Sequence, residues 1–224
     1  WRRWVPVDPA AAQAEGRRHP IPIAAGLSPR ECLTRWVTVP LAVAHKARRV
    51  LPSLLDVDLP FPLEGCEWGV AAWERGESQT HRGLAVAARR VDVTRRIEEL
   101  KQAGFEPDLL DAESLALWTQ AATECGPASG WRIVAHLGSD RLTCVMGRDA
   151  RWFSAYVTQQ PEGGILINGL KSVLGDSGEP VEWIWTGPGL APGGALRPAR
   201  PVLEAVFPGR SREVEQPAYF LARA

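Results

Sequence analysis

The sequence predicts an α/β protein built on a mixed sheet. Segments rich in β-branched residues and Trp alternate with segments whose apolar residues recur every three or four positions, as strands and crossover helices do. After residue 130, three short strand patterns are joined by connections tight enough for an antiparallel meander. No segment repeats at a fixed period. Together these patterns favour a mixed sheet with helices over a purely parallel or all-β fold.

In the first half of the chain, residues 1–30 are expected to be extended or loop-like. The patterns then predict, in order, a strand at 31–40, a helix at 41–55, a stiff extended connector at 59–64, strands at 68–73 and 84–88, a helix at 92–104, a short strand at 105–110 and a helix from 111 to about 122. Pro52 is expected to kink the first helix or to limit it to three turns. Asp92 is a credible N-cap, and Gly104 stands where a left-handed C-cap belongs.

The second half begins after a loop at 126–130, the best candidate for a boundary. We therefore expect a first half of residues 1–125 and a second half of residues 131–224. The patterns in the second half predict strands at 131–137, 141–146 and 151–158, a helix at 165–174, a strand at 181–186 and a short helix at 202–207. The helix at 165–174 is expected to bury Ile165, Leu166, Gly169, Leu170 and Val173.

Composition excludes several classes of protein. The chain has 224 residues, 26 basic against 26 acidic side chains and a hydrophobic fraction of 45%, which is typical of a soluble globular protein. Zero net charge argues against a nucleic-acid partner, because binding to the phosphate backbone needs a basic surplus. No window approaches the roughly 18 apolar residues of a membrane span. The cysteines and histidines have no ligand spacing, so we expect reduced thiols and no metal site.

No catalytic motif of a common hydrolase, kinase or dinucleotide-binding class is present. The pattern most open to a chemical interpretation is a pair of glycine turns, one beginning at Gly138 and one at Gly187. Glycine turns can present backbone N–H groups to a phosphate, since glycine permits positive φ and close approach. Ordinary hairpin turns have the same composition, so the residues alone leave both interpretations open.

Three segments carry a resemblance to a known family. The helix that ends in Leu59-Pro60-Phe61-Pro62-Leu63-Glu64 resembles the helix and PFPLE connector of the actin-like (PilM-type) proteins of bacterial type IV pilus assembly. It also looks like the cytoplasmic domain of the L protein (GspL type) of type II secretion. The ending KxAGxEP at 101–107 and the helix opening at 111–117 keep the order of that family. The resemblance covers most of residues 30–190 and is more specific in its first half.

The resemblance implies an actin-like ATPase fold of the RNase H-like class, with two related halves around a nucleotide cleft. The second phosphate loop of the family reads D-x-G-[ST], and here the matching residues are His136-Leu137-Gly138-Ser139. The acidic residue is thus replaced by an imidazole, a poor ligand for Mg²⁺. The pair Gly163 and Gly164 matches the glycines before the connecting helix. The remaining match is to the glycine loop on the adenosine side, here Gly187 and Gly189.

The first phosphate loop of the family is not in this sequence, which begins at Trp1 without Met and is expected to be a trimmed piece. With one loop missing and one altered, we expect weak or absent Mg-ATP binding, no catalytic residue and no cofactor. The nucleotide-binding assignment of the six residues Gly138, Ser139, Gly163, Gly164, Gly187 and Gly189 therefore derives from the resemblance alone.

The resemblance implies a non-hydrolysing scaffold or adaptor of a type II secretion or type IV pilus machine, located in the cytoplasm at the inner membrane. Its implied partners are the N-terminal domain of the assembly ATPase and an inner-membrane pilus or pseudopilus protein, and a homodimer is compatible with it. Two alternatives stay open: an active ATPase or kinase of the same fold, and an interaction module of an unrelated pathway. The sequence does not separate the pilus type from the secretion type.

Overall fold

A computed structural model describes residues 24–76, 79–138, 140–149, 151–159, 164–175, 179–194 and 196–214. The chain divides into a small unit, residues 27–108, and a large unit, residues 1–26 together with 109–224. The sequence places its boundary elsewhere, at the loop 126–130, and that division into halves stays a prediction.

The small unit holds an antiparallel sheet of three strands in the order β2–β4–β3, with two helices. Its elements are β2 (Cys32–Val39), α1 (Ala44–Asp58), β3 (Cys66–Arg75), β4 (His81–Arg89) and α2 (Arg90–Gln102), and β1 (Ala24–Leu27) precedes them. One turn of 3-10 helix, Leu63–Gly65, leads into β3. The buried side of α1, formed by Ala47, Leu51 and Leu55, packs on apolar residues of β2 and β4. This packing is why the apolar spacing of three and four predicts the helix correctly.

The large unit is a five-stranded mixed sheet with helices on both faces. Its elements are β5 (Leu109–Ala112), α3 (Glu113–Cys125), β6 (Trp131–Leu137), β7 (Leu142–Arg148), β8 (Arg151–Thr158), α4 (Gly164–Leu174), β9 (Val181–Thr186), α5 (Ala199–Val206) and β10 (Gly209–Glu213). The strand order is β10–β9–β6–β7–β8, and β5 pairs with β1 in a separate two-stranded sheet. The three strands β6, β7 and β8 form the predicted antiparallel meander, whereas β9 and β10 add in parallel.

Alternation along the strands assigns each helix to a face of this sheet. One face, which carries Ile133, Leu137 and Trp183, forms a single core with Leu170 of α4 and Leu203 of α5. Residues of the opposite face contact α3: a Cβ at Gly147 of β7 would lie 2.5 Å from the Trp118 ring. The predicted α/β fold with a mixed sheet is confirmed.

Several local predictions are wrong, each for a physical reason. Helix α1 continues through Pro52 to Asp58, because the proline removes only the hydrogen bond to the carbonyl of Arg48, an exposed residue. Asp92 lies in the first turn of α2 and is not its N-cap, which is Arg89. The short strand expected at 105–110 lies at Leu109–Ala112. Ile165, expected to be buried, is 90% exposed on α4.

Two strands of the structure have no counterpart among the sequence predictions. Strand β1 lies in the stretch expected to be extended or loop-like, and all five residues of β10 are exposed. An exposed edge strand has no buried side to give it an alternating pattern, so hydrophobic periodicity cannot reveal it. Gly104, by contrast, has the positive φ (85°) expected of it.

Candidate functional site

Two of the glycine turns meet at one edge of the large sheet. Strands β6 and β9 are parallel and adjacent, and their last register pair is His136 with Thr186. Immediately beyond this pair the chain turns at Gly138 after β6 and at Gly187 after β9. Crevices beyond the carboxyl ends of parallel strands are the usual ligand sites of open α/β sheets, so this edge is the candidate site.

The two turns touch through their backbones. Gly187 has a φ of 104°, and a Cβ there would lie 2.4 Å from the carbonyl oxygen of Leu137. A Cβ at Gly189 would lie 2.7 Å from the carbonyl oxygen of Gly138. The N–H of Gly138 donates to the carbonyl oxygen of Arg141 at 2.8 Å, which closes the first turn. Both Gly187 and Gly189 are therefore required for the second loop to lie against the end of β6.

The structure thus brings together three of the six residues assigned from the resemblance. Gly138, Gly187 and Gly189 lie at the candidate site, and Gly189 is buried in the 3-10 turn Pro188–Leu190. Gly164 is the first residue of α4, which follows β8 in the chain. Ser139 and Gly163 lie outside the described residues. A nucleotide-binding role for these glycines stays a prediction.

Buried polar side chains lie beside the glycine turns. His136 is 5% exposed, and its register neighbours across the sheet are Thr143 of β7 and Thr186 of β9, both at most 1% exposed. The Thr143 hydroxyl donates to the Glu113 carboxylate, with 3.4 Å between the two oxygens, and Glu113 is 3% exposed at the start of α3. A Cβ on Gly187 would come within 2.9 Å of the His136 ring. The imidazole is thus packed under the second glycine turn.

This arrangement does not reproduce the acidic phosphate loop implied by the resemblance. An imidazole stands where the carboxylate of that loop would lie, and it is buried among threonines. Among the described residues, no three His, Cys, Asp or Glu side chains are grouped so that they could hold a metal ion. A hard cation such as Mg²⁺ prefers carboxylate and water oxygens, so the described residues do not fit a Mg²⁺ site of the expected kind.

Glu113, Thr143 and Thr186 were not singled out by sequence reasoning as site residues. Both threonines are polar residues beside a glycine turn, since Thr143 is the second residue of β7 and Thr186 is the last residue of β9. Glu113 gave no such signal, because a carboxylate at the start of a helix is also what the helix dipole favours. Only the three-dimensional pairing with Thr143 shows that it is buried.

The fold defines an α/β protein with a mixed sheet, and its candidate site lies beyond the carboxyl ends of the parallel strands β6 and β9. The chain is similar to a chain of a PilM–PilN type IV pilus biogenesis complex, with a TM-score of 0.59, 17% identity, and coverage of 96% of this chain and 77% of that one. It is similar to the cytoplasmic domain of EpsL, an inner-membrane component of the type II secretion system of Vibrio cholerae, with a TM-score of 0.53, 15% identity, and coverage of 82% and 69%.

A further similar structure is a Bacteroides thetaiotaomicron protein of actin-like ATPase fold and unknown function, with a TM-score of 0.46, 11% identity, and coverage of 93% and 78%. No protein-family model matches the sequence. A comparison with curated proteins gives no match either. The two similarities with TM-scores of 0.59 and 0.53 show that the chain has the fold of those pilus and secretion components. Within the part of the chain that the structure describes, no helix is long and apolar enough to cross a membrane.

Proposed function

We propose that this chain is a scaffold or adaptor of a bacterial type II secretion or type IV pilus machine, and that it works without hydrolysing ATP. The observation that carries the proposal is the shared fold, which spans 96% of this chain in a PilM–PilN complex and 82% of it in the EpsL cytoplasmic domain. The expected location is the cytoplasmic side of the inner membrane. Its expected partners are an inner-membrane assembly protein and the N-terminal domain of the assembly ATPase.

The altered phosphate loop supports the absence of hydrolysis. Phosphoryl transfer depends on positioning and on electrostatic stabilisation, usually with a metal ion held by carboxylates. The described residues of the candidate site offer one buried carboxylate, Glu113, which already accepts a hydrogen bond from Thr143. The acidic residue of the family's phosphate loop is replaced here by His136. The two glycine turns contact each other directly, so their contact needs no ligand between them.

Binding experiments test the adaptor role. The purified chain is titrated with the N-terminal domain of the host's assembly ATPase, and separately with the cytoplasmic tail of an inner-membrane assembly protein of the same host. We expect saturable binding to at least one of them. If the chain binds neither, and if its deletion leaves both pili and secretion unchanged, the chain is instead an interaction module of an unrelated pathway.

Nucleotide titration tests the second part of the proposal. Calorimetry with ATP is performed with and without Mg²⁺ on the wild type and on His136→Asp. We expect no Mg²⁺-dependent binding by the wild type. Micromolar, Mg²⁺-dependent affinity of the wild type would contradict the proposal and favour the active ATPase. That alternative is favoured by one observation, the close backbone approach of the two glycine turns.

A further inference from the structure

Strand β3 ends the small sheet on one side with a run of exposed residues that carry no polar side chain. The sheet order is β2–β4–β3, so one side of β3 pairs with β4, and among the described residues its other side pairs with no strand. Residues 68–72, of sequence WGVAA, are all exposed. We call this run the apolar edge (residues 68–72). The outer N–H and C=O groups of an edge strand are a template for the addition of a further strand.

Two other edge strands carry polar or charged side chains, as edge strands usually do. Strand β2, at the opposite edge of the small sheet, exposes Arg35 and Thr38. Strand β10, at one edge of the large sheet, is exposed throughout, and three of its five residues are charged. Charged side chains on an edge strand oppose its pairing with another chain. The apolar edge has no such side chain, so nothing in its sequence opposes a partner strand.

The two large side chains of the apolar edge, Trp68 and Val70, lie on the side of the sheet that α1 partly covers. They are opposite Ala87 and Ala85 of β4, and both alanines belong to the core beneath α1. Trp68 and Val70 are nevertheless 41% and 42% exposed. An added strand would place alternate side chains of its own against them. Since tryptophan is enriched among the residues that carry most of the energy of binding, Trp68 is the expected anchor.

The end of β3 beyond the apolar edge is basic. Arg75 lies on the same side of the sheet as Trp73, and Arg48 of α1 lies over the Trp73 ring at 5.6 Å. Among the described residues, no carboxylate forms an ion pair with Arg48 or Arg75. Glu74 lies on the other side of the sheet, where it pairs with Arg82 at 3.4 Å. The two cations are therefore complementary to a partner segment that carries carboxylates at one end.

We propose that the apolar edge binds, by strand addition, an extended segment of another protein, with alternating apolar side chains and an acidic end. Main-chain hydrogen bonds supply the affinity in such complexes, and the alternate side chains supply the specificity. A β-bulge between Val70 and Ala72 interrupts the register, so the regularly paired stretch is short and we expect a transient complex. The test needs neither the assembly ATPase nor the inner-membrane protein, so its outcome is independent of the secretion or pilus assignment.

A random library of linear decapeptides, displayed on phage and selected on the purified chain, tests the surface. Synthetic versions of the enriched peptides are titrated by fluorescence anisotropy, and we expect Val70→Lys to weaken their binding at least tenfold. Val202→Lys is the matched control, since Val202 is 39% exposed on α5 and Val70 is 42% exposed on β3. The control is expected to keep the wild-type affinity. A selection that enriches no peptide, or equal effects of the two variants, overturns the proposal.

Methylation of the peptide backbone tests strand addition on the unchanged protein. In an added strand, the N–H groups of alternate residues face β3 and those between them face away. We expect N-methylation of one alternate set to weaken binding at least tenfold, and N-methylation of the other set to change it by less than about threefold. Equal effects of the two sets would mean that the peptide is held by its side chains, and strand addition would be wrong.

Charge reversal tests the acidic end of the partner. Arg75→Glu should weaken the enriched peptides at least fivefold, and peptides with lysine in place of their acidic residues should bind this variant better than the wild type. Arg210→Glu is the control, because Arg210 is an exposed arginine on the edge strand of the other sheet. Equal effects of the two reversals would mean that the attraction is non-specific. Sedimentation equilibrium covers the remaining occupant: if Val70→Lys converts a wild-type dimer into a monomer, a second copy occupies the edge and the proposal is wrong.

Discussion

Replacing Glu182 by Gln should destabilise the large unit more than replacing either arginine that it binds. Glu182 of β9 accepts the Nε–H of Arg132 of β6 at 2.8 Å, and Nη2 of the same guanidinium lies 2.7 Å from the same carboxylate oxygen. Its other oxygen accepts Nη2 of Arg212 at 2.7 Å. The Arg132 side chain is only 2% exposed, whereas that of Arg212 is 52% exposed. Glu182 is therefore the charge that neutralises a buried guanidinium.

The magnitudes follow from what each change leaves behind. Removing one partner of a buried ion pair typically costs about 3–5 kcal/mol. Since Glu182 is 20% exposed and Gln keeps an acceptor, we expect about 2–4 kcal/mol for Glu182→Gln. Arg132→Met removes the buried charge itself and leaves the Gly126 carbonyl without its 2.7 Å donor, a loss of about 1–3 kcal/mol. Arg212→Ala breaks an exposed pair and should cost under about 1 kcal/mol.

Urea unfolding followed by tryptophan fluorescence measures these differences, and hydrogen exchange of β9 amides locates them. We expect the order of loss to be Glu182→Gln, then Arg132→Met, then Arg212→Ala. If Arg132→Met were the most costly of the three, an unpaired buried charge would not be the main cause of the lost stability. If Arg212→Ala equalled Glu182→Gln, the buried position of Arg132 would carry no energetic consequence. Either result would refute the reasoning.

Three further predictions concern the glycine loop, acid sensitivity and the thiols. Gly187→Ala should lower the free energy of unfolding in urea by about 2–4 kcal/mol, because it adds strain at positive φ to a 2.4 Å clash with the Leu137 carbonyl oxygen. Gly193 also has a positive φ but has open space around it, so Gly193→Ala should lower it by only about 1 kcal/mol. Desolvation raises the pKa of Glu204, but hydrogen bonds from Ser211 and Arg200 lower it by more, so the net pKa is below the ordinary value. The ionised Glu204 therefore contributes to the free energy of unfolding above the ordinary glutamate pKa, and this contribution is lost as the pH falls through the lowered pKa. Glu204→Gln should flatten that acid-side loss in unfolding curves measured at successive pH values. Burial raises the pKa of the Cys144 thiol to about 12, and Cys32 and Cys66 are also buried, so a thiol reagent at pH 8 should modify one cysteine rapidly in the folded protein, the half-buried Cys125.

Sequence reasoning found the elements that bury a regular apolar side. The meander β6–β8 and helix α4 were predicted to within about two residues at each end, because their apolar positions recur at the strand and helix periods. Strand β10 escaped prediction because its five residues are all exposed. Pro52 was expected to kink helix α1 or to limit it to three turns; the helix is not limited there, since packing through Leu51 and Leu55 outweighs the loss of one hydrogen bond.

The candidate site was predictable only in part. Glycine turns after two predicted strands gave Gly138 and Gly187, and the resemblance added Gly189, but neither revealed that the two turns touch each other. That contact depends on β6 and β9 being parallel neighbours, although β7 and β8 lie between them in the chain. The pairing of Glu113 with Thr143, thirty residues apart, depends on α3 packing over β7. Such long-range contacts leave no local pattern in the sequence.

The burial of His136 changes how its replacement of an acid is understood. The resemblance implies that the histidine replaces a Mg²⁺-binding acid of a phosphate loop. In the structure it is a packed residue, flanked by Thr143 and Thr186 and covered by the Gly187 turn. A carboxylate in that position would be a second buried acid near the pair of Glu113 and Thr143. Without a cation to neutralise it, its buried charge would be costly. A histidine at this position does not need a cation beside it, which fits the proposal of a scaffold that works without hydrolysing ATP.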